Sequence, residues 1–400
     1  MKRAASVLTL LVFFAFSFVP DAASRPASLE QLAEIVKHLL PIPLPGPITS
    51  LYRPKYDTVR EAELKFSDKE PMFVAMLPNG PHIYPQQYML WHQVVNELVD
   101  DHAYAITYCP VTGTLMVYDA TLQGTNLIFD VEGHTTQAGF YGFLYDGNSV
   151  LMDRNTGSLW LQETGMAFDG PLLGRGLATV PVFWTTWEYA RKVFPDAPVM
   201  AKPRGRRPYG RDPYGSYLRE GTYYDNDTLV YAPRRMDKTF KRKTPMLCLE
   251  LGNLLMAVDI KYVKKMGAVN FFMGTYPLLA VHDRTLDVVR IYDRKIWADP
   301  FLFTVKDGQL VDINTRSIWD PRTGKAIAGN MKGSDMKEYF GVYSMWFAWY
   351  SINPETLYIP GPGEVPANML SLDEPGVGDL TGPPPPQGPS DLPGGPTWGN

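Results

Sequence analysis

The chain has 400 residues, 45% apolar and 13% aromatic, enough to bury one or two substantial cores without staples. A formal charge of -4 supplies no basic field for nucleic acid, and composition argues against a nucleic-acid partner. Two cysteines, Cys109 and Cys248, are too few for a disulfide framework or for a structural zinc site, which takes four ligands.

The first 24 residues, MKRAASVLTLLVFFAFSFVPDAAS, combine Lys2 and Arg3, an apolar run from Ala4 to Val19 and the small residues Ala22, Ala23 and Ser24. These are the three regions of a secretory signal peptide. An uncleaved anchor is the alternative, although the run is shorter than the ~20 residues a spanning helix needs. The expectation is an exported protein, secreted or periplasmic, with no membrane span after signal cleavage. Cysteines pair in such oxidising compartments, so Cys109 and Cys248 read as one disulfide, as two buried thiols, or as one reactive thiol and a bystander.

In residues 25–48, Leu29, Leu32, Ile35, Val36, Leu39 and Leu40 fall on one helical face behind Ser28 as N-cap, which predicts a short amphipathic helix. The stretch PIPLPGP at 41–47 then reads as an extended linker. Next come an apolar strand at 72–77, a second at 82–84, a helix-compatible stretch at 86–98 and a hairpin pairing 103–108 with 114–119. Strands around 126–131, 149–153 and 158–162 and a helix at 185–194 follow.

An internal repeat organises these elements. Shifted by 174 residues, Met72, Leu77, Asn79, Tyr88, Val95, Asn96, Tyr118 and Asp119 fall on Met246, Leu251, Asn253, Tyr262, Val269, Asn270, Tyr292 and Asp293. Shifted by 159, Asn155, Thr156, Ser158, Trp160, Gly165 and Trp187 fall on Asn314, Thr315, Ser317, Trp319, Gly324 and Trp346. The fold class expected is α+β and β-rich: two tandem homologous units packed together, at 49–200 and 244–360, after the N-terminal helix. Residues 201–243 form a basic-aromatic connection, and the Pro/Gly-rich tail at 361–400, with a tetraproline at 383–386, is expected to be disordered.

The copies differ where chemistry would sit: Trp91 falls on Lys265, His92 on Met266, Cys109 on Asp283 and Pro110 on Arg284. A thiol site, if there is one, belongs to the first unit. Four stretches carry a further signal: WHQVVNE at 91–97, TYCPVTGT at 107–114, DRNTGSLW at 153–160 with Gln162 and Gly165, and YGRDPYGSY at 209–217. In this order and spacing the chain resembles, over roughly residues 50–358, the bacterial and archaeal family catalogued as domain of unknown function 3179. The resemblance implies no assigned activity. Typical members read Cys-Pro-x-Cys-Gly at the turn, and some are described as selenoproteins with selenocysteine in the second cysteine position, which implies redox work. That second position is Thr112 here.

Cys109-Pro-Val-Thr112 cannot cycle between dithiol and disulfide within the motif. A one-thiol mechanism survives, with Cys109 as nucleophile, Thr112 and turn amides stabilising a thiolate, and His92 as proton acceptor; His92 as a hydrogen-bonded core residue is the alternative. The strand-like TLMVYD after the turn denies Cys109 the helix dipole of a thioredoxin-type motif. Around it, Trp91, Tyr108, Arg211, Asp212 and Tyr214 are candidate ligand contacts, or else parts of an ordered loop whose Arg-Asp pair fixes its own turns. No motif names a cofactor, and none marks a phosphate loop, serine elbow or zinc helix. The readings are thus an exported thiol-dependent redox protein acting on a small thiol, a peroxide or a protein disulfide; a secreted binding or scaffold protein in which Cys109 is structural; and, behind both, a copper-binding protein.

Overall fold

The computed structural model describes residues 29–44, 48–136, 139–205, 207–215, 217, 220–360 and 365–366. The N-terminal stretch expected to be a signal peptide and nearly all of the Pro/Gly-rich tail lie outside them. The chain is β-rich, with short helices. Twelve strands frame the site: β1 (Pro71–Leu77), β2 (Gly80–Pro85), β3 (Val94–Val99), β4 (His102–Cys109), β5 (Thr114–Asp119), β6 (Val182–Thr186), β7 (Pro245–Leu251), β8 (Leu254–Asp259), β9 (Ala268–Met273), β10 (Tyr276–Asp283), β11 (Val288–Asp293) and β12 (Val342–Met345). None of the described helices is long and apolar enough to cross a membrane.

A single eight-stranded sheet runs Leu51–Tyr52, β3, β4, β5, β12, β7, β8 and Leu357–Ile359. It draws on both halves of the chain, joined where Tyr343 of β12 pairs antiparallel with Leu115 of β5. Two five-stranded sheets accompany it, one built around β6, β1 and β2 and the other around β11, β10 and β9.

Strands β4 and β5 are buried along almost their whole length, and their period-two alternation feeds two cores at once. Tyr104, Ile106, Tyr108, Leu115 and Val117 enter the large core shared with Phe73, Tyr84, Leu247 and Phe271. Ala103, Ala105, Met116 and Tyr118 face the opposite way, against Phe129, Leu151 and Trp160.

Three expected elements change. The helix at 86–98 is Gln86–His92 only, because Gln93 turns left-handed at φ 56° and Val94, Val95 and their neighbours enter β3. The stretch expected to be helical from residue 185 begins as strand β6, and its helix is Trp187–Val193. The first part of the expected linker is a strand, Leu40–Leu44, paired antiparallel with Gly139–Tyr145 at a sheet edge, where proline's missing N–H is tolerated; residues 45–47 lie outside the described residues. In the tail stretch, Val365–Pro366 pairs with Asn270 and Val269 of β9.

One hydrogen-bonded device occurs in both halves. Buried Asp153 accepts from Thr156 N–H at 2.6 Å, from the Thr156 hydroxyl at 2.9 Å and from Trp160 Nε1 at 2.9 Å. Asp312 accepts from Thr315 N–H at 2.5 Å, from its hydroxyl at 2.9 Å and from Trp319 Nε1 at 2.8 Å. Asn96 likewise exchanges side-chain bonds with the Phe129 backbone, as Asn270 does with Phe303. Asp153→Ala and Asp312→Ala each strand a buried indole N–H and open a turn, so each is expected to lower unfolding free energy by about 2–4 kcal/mol in urea titration. A loss below about 1 kcal/mol in either would show that the loop is held by other means.

Candidate functional site

At the end of β4 the chain turns through Pro110–Gly113 and re-enters β5, with Cys109 opposite Thr114. Gly113 has φ +64°, and a Cβ there would meet the Met345 side chain at 3.3 Å and the Tyr217 hydroxyl at 3.4 Å. The turn is held from two sides. Met345 N–H donates to Thr112 O at 2.9 Å from β12, and the Tyr223 hydroxyl donates to Val111 O at 2.7 Å from the connection. Cys109 has no exposed surface, and its thiol donates to Gly147 O at 3.8 Å. Both cysteines are free and buried, which decides against the disulfide. Burial, and then the charge of Glu163, push the Cys248 thiol well up from its ordinary value.

Beside the turn lies a cluster of fully buried polar side chains. The Thr114 hydroxyl donates to Thr112 Oγ1 at 2.8 Å and lies 3.3 Å from Ser344 Oγ. Asn148 Nδ2 donates to Thr112 Oγ1 at 3.2 Å and to Gln162 Oε1 at 2.8 Å. Gln162 Nε2 in turn donates to Thr107 Oγ1 at 2.9 Å and Thr114 O at 3.2 Å, so this network closes on itself. Glu163 is the exception. Its backbone N–H donates to Asn148 Oδ1 at 3.1 Å, yet both carboxyl oxygens are buried and make no hydrogen bond, the nearby Thr114 hydroxyl being committed to Thr112. Loss of water, and then the charge of Asp146, push its carboxyl up to about 8, so the acid stays protonated at neutral pH. Asp146 is itself gripped by Arg234, whose Nη2 lies 2.7 Å from Oδ2 and whose backbone N–H donates to Oδ1 at 2.9 Å.

His92 does not face Cys109. Its Nδ1 donates to Thr49 O at 2.6 Å, which leaves Nε2 to accept from the Tyr209 hydroxyl at 2.7 Å. With both nitrogens taken and the ring held below histidine's ordinary value by burial, it is a satisfied neutral residue that anchors the connection. Both ring nitrogens are thus engaged by groups other than Cys109.

The other candidates meet one another as a strap over the turn. Trp91 Nε1 donates to Arg211 O at 3.2 Å, and the Arg207 guanidinium lies 5.8 Å from its ring. Asp212 Oδ1 accepts from Tyr214 N–H at 2.8 Å, closing its own turn, and burial pushes its carboxyl up to about 6. The Tyr108 hydroxyl accepts from Gln86 Nε2 at 3.1 Å and lies 3.4 Å from that of Tyr217, which stacks on Tyr224 at 3.7 Å. Tyr214 is raised by burial and by its nearness to Cys109. Lys243 fastens the far end, donating to Tyr223 O and Thr228 O; its amine is lowered to about 8, chiefly by burial.

Sequence reasoning missed Thr107, Thr114, Asn148, Glu163 and Ser344. Thr107 and Thr114 bound the quoted TYCPVTGT and Glu163 follows Gln162, but nothing local marks them as partners, and Asn148 and Ser344 carry no signal in their own stretches. Among the described residues, no three His, Cys, Asp or Glu side chains converge as a metal site.

Glu163 generates a pH prediction. The folded chain binds its proton more tightly than an unfolded one, whose glutamates titrate near 4.5, so this stabilisation is complete below about 4.5 and is lost as pH rises to about 8. Wild type should lose stability relative to Glu163→Gln across that window, on the order of a few kcal/mol in urea midpoints. Taking the difference cancels Glu97, whose carboxyl is pushed up to about 7, chiefly by burial. A difference that does not change with pH would mean that the Glu163 carboxyl is solvated or paired.

No curated protein and no solved structure gives a significant match to the chain. Residues 46–356 match a family described as "Protein of unknown function (DUF3179)", a span that holds the turn, the polar cluster and the strap. The chain belongs to the DUF3179 family.

Proposed function

We propose that this is an exported, non-catalytic binding or scaffold protein in which Cys109 is a structural thiol. The observation that carries the reading is the sealing of Cys109: no exposed surface, a thiol spent as a donor to Gly147 O, and an aromatic strap fastened over the turn. A thiol nucleophile needs access and a proton acceptor, and His92 is committed elsewhere. Export rests on the N-terminal sequence alone.

The reading includes descent from two tandem units. The twin devices at Asp153 and Asp312 and at Asn96 and Asn270 support it. So does the residue aligned with Cys109: Asp283 accepts from Thr285 N–H at 2.9 Å and from Arg290 Nε at 2.9 Å. A buried ion pair fills in one unit the place that a thiol fills in the other. One observation favours descent from a reactive site, the cost of keeping so many polar side chains buried around Thr112, where family members carry their second cysteine or selenocysteine.

Alkylation of native protein between pH 7 and 9, read by mass spectrometry, tests the reading with Cys248 as internal standard and Cys109→Ser as control. Cys109 is expected to label no faster than Cys248, both following unfolding in urea. Labelling of Cys109 within minutes while Cys248 stays protected would sink the structural reading in favour of the single-thiol redox one.

A further inference from the structure

The charge of this chain is unevenly placed. Residues 201–243 hold twelve Lys and Arg against five Asp and Glu, a net +7 within a chain of formal charge -4. Internal partners account for part of it: Arg234 is bound to Asp146, Arg242 lies 3.7 Å from Asp227, and Lys243 is buried against carbonyls. Among the described residues, Lys202, Arg204, Arg211, Arg235, Lys238 and Lys241 are exposed and have no acidic partner. They lie on the segment that straps the Cys109 turn. Residues 367–400 have the opposite character, with Asp373, Glu374, Asp379 and Asp391 and not one Lys or Arg.

We infer that the acidic segment 367–400 docks on the exposed cations of the basic connection of its own chain. Reach permits it. The segment starts after Pro366, paired with β9, and 34 residues extend to roughly 105 Å at ~3.1 Å each, whereas a folded body of this size has a radius of gyration of about 20 Å. Tethering raises the effective concentration to the order of mM, so weak, screened contacts between carboxylates and exposed cations suffice and a free polyanion is at a disadvantage. The inference holds whether Cys109 is structural or reactive.

Zero-length carbodiimide crosslinking of the full chain, as a dilute equimolar mixture of 14N and 15N protein, tests it. Amide links are expected from Asp373, Glu374, Asp379 or Asp391 to Lys202, Lys238 or Lys241, within one isotope, falling roughly tenfold at about 1 M salt, where the screening length is ~3 Å. In the full-length variant Asp373→Asn, Glu374→Gln, Asp379→Asn, Asp391→Asn, hydrogen exchange across 201–243 should rise several-fold. Links to lysines outside the connection, links of mixed isotope from a second copy's tail, or unchanged exchange in the variant would each overturn the inference. So would protection of 201–243 that arises only on adding a polyanion such as heparin.

Discussion

Strands β4 and β5 are buried on both faces, and the rest of the site follows from that constraint. Their alternate residues belong to different cores, so the turn between them opens into protein rather than into water. Every polar group there must find its partner inside the molecule. Thr107, Thr112, Thr114, Asn148 and Gln162 do so by bonding one another, and the Cys109 thiol does so through Gly147 O. Glu163, whose carboxyl has no such partner, is the exception, and burial favours its neutral form, far less expensive to bury than a carboxylate.

The connection is bound to the same place by a division of labour. Its tyrosines and Lys243 face inward: Tyr209 on His92, Tyr217 beside Tyr108, Tyr223 on Val111 O, Lys243 on Tyr223 O, while Arg234 reaches in from the surface to Asp146. Among the described residues, Lys202, Arg204, Arg211, Arg235, Lys238 and Lys241 face outward. A segment with little regular structure thereby acquires a fixed inner surface made of directional bonds and an outer one made of unspent charge. The hairpin of β4 and β5 closes on a thiol beneath tyrosines, that of β10 and β11 on the Asp283–Arg290 ion pair.

Local signals in the sequence were sufficient where contacts are local. The apolar runs at 72–77 and 246–251 and the hairpin ending in TYCPVTGT correspond to β1, β7, β4 and β5 within a residue or so. They failed where a distant partner decides. The stretch PIPL at 41–44 is a strand only because Gly139–Tyr145 lies beside it. The stretch VVNELV continues a helical period on paper but becomes β3 once Gln93 breaks left-handed and β4 is available to pair. His92 takes its orientation from a backbone carbonyl at Thr49 and a hydroxyl at Tyr209, 43 and 117 positions away. The polar cluster was illegible for a related reason: Thr107 and Ser344 are ordinary strand residues until the sheet brings their neighbours together.

The pairing of Leu115 with Tyr343 has a consequence for how this molecule comes into being. Strand β5 waits for a partner synthesised about 230 residues later, a closure of high contact order that slows folding. Residues 178–180 cover β5 at Val117–Asp119, but until β12 arrives its Leu115 end is an open edge of an apolar sheet, a template for pairing with other chains. The nascent protein is therefore expected to depend on holding factors until β12 emerges, and a truncation that removes β12 should aggregate rather than leave a folded first half.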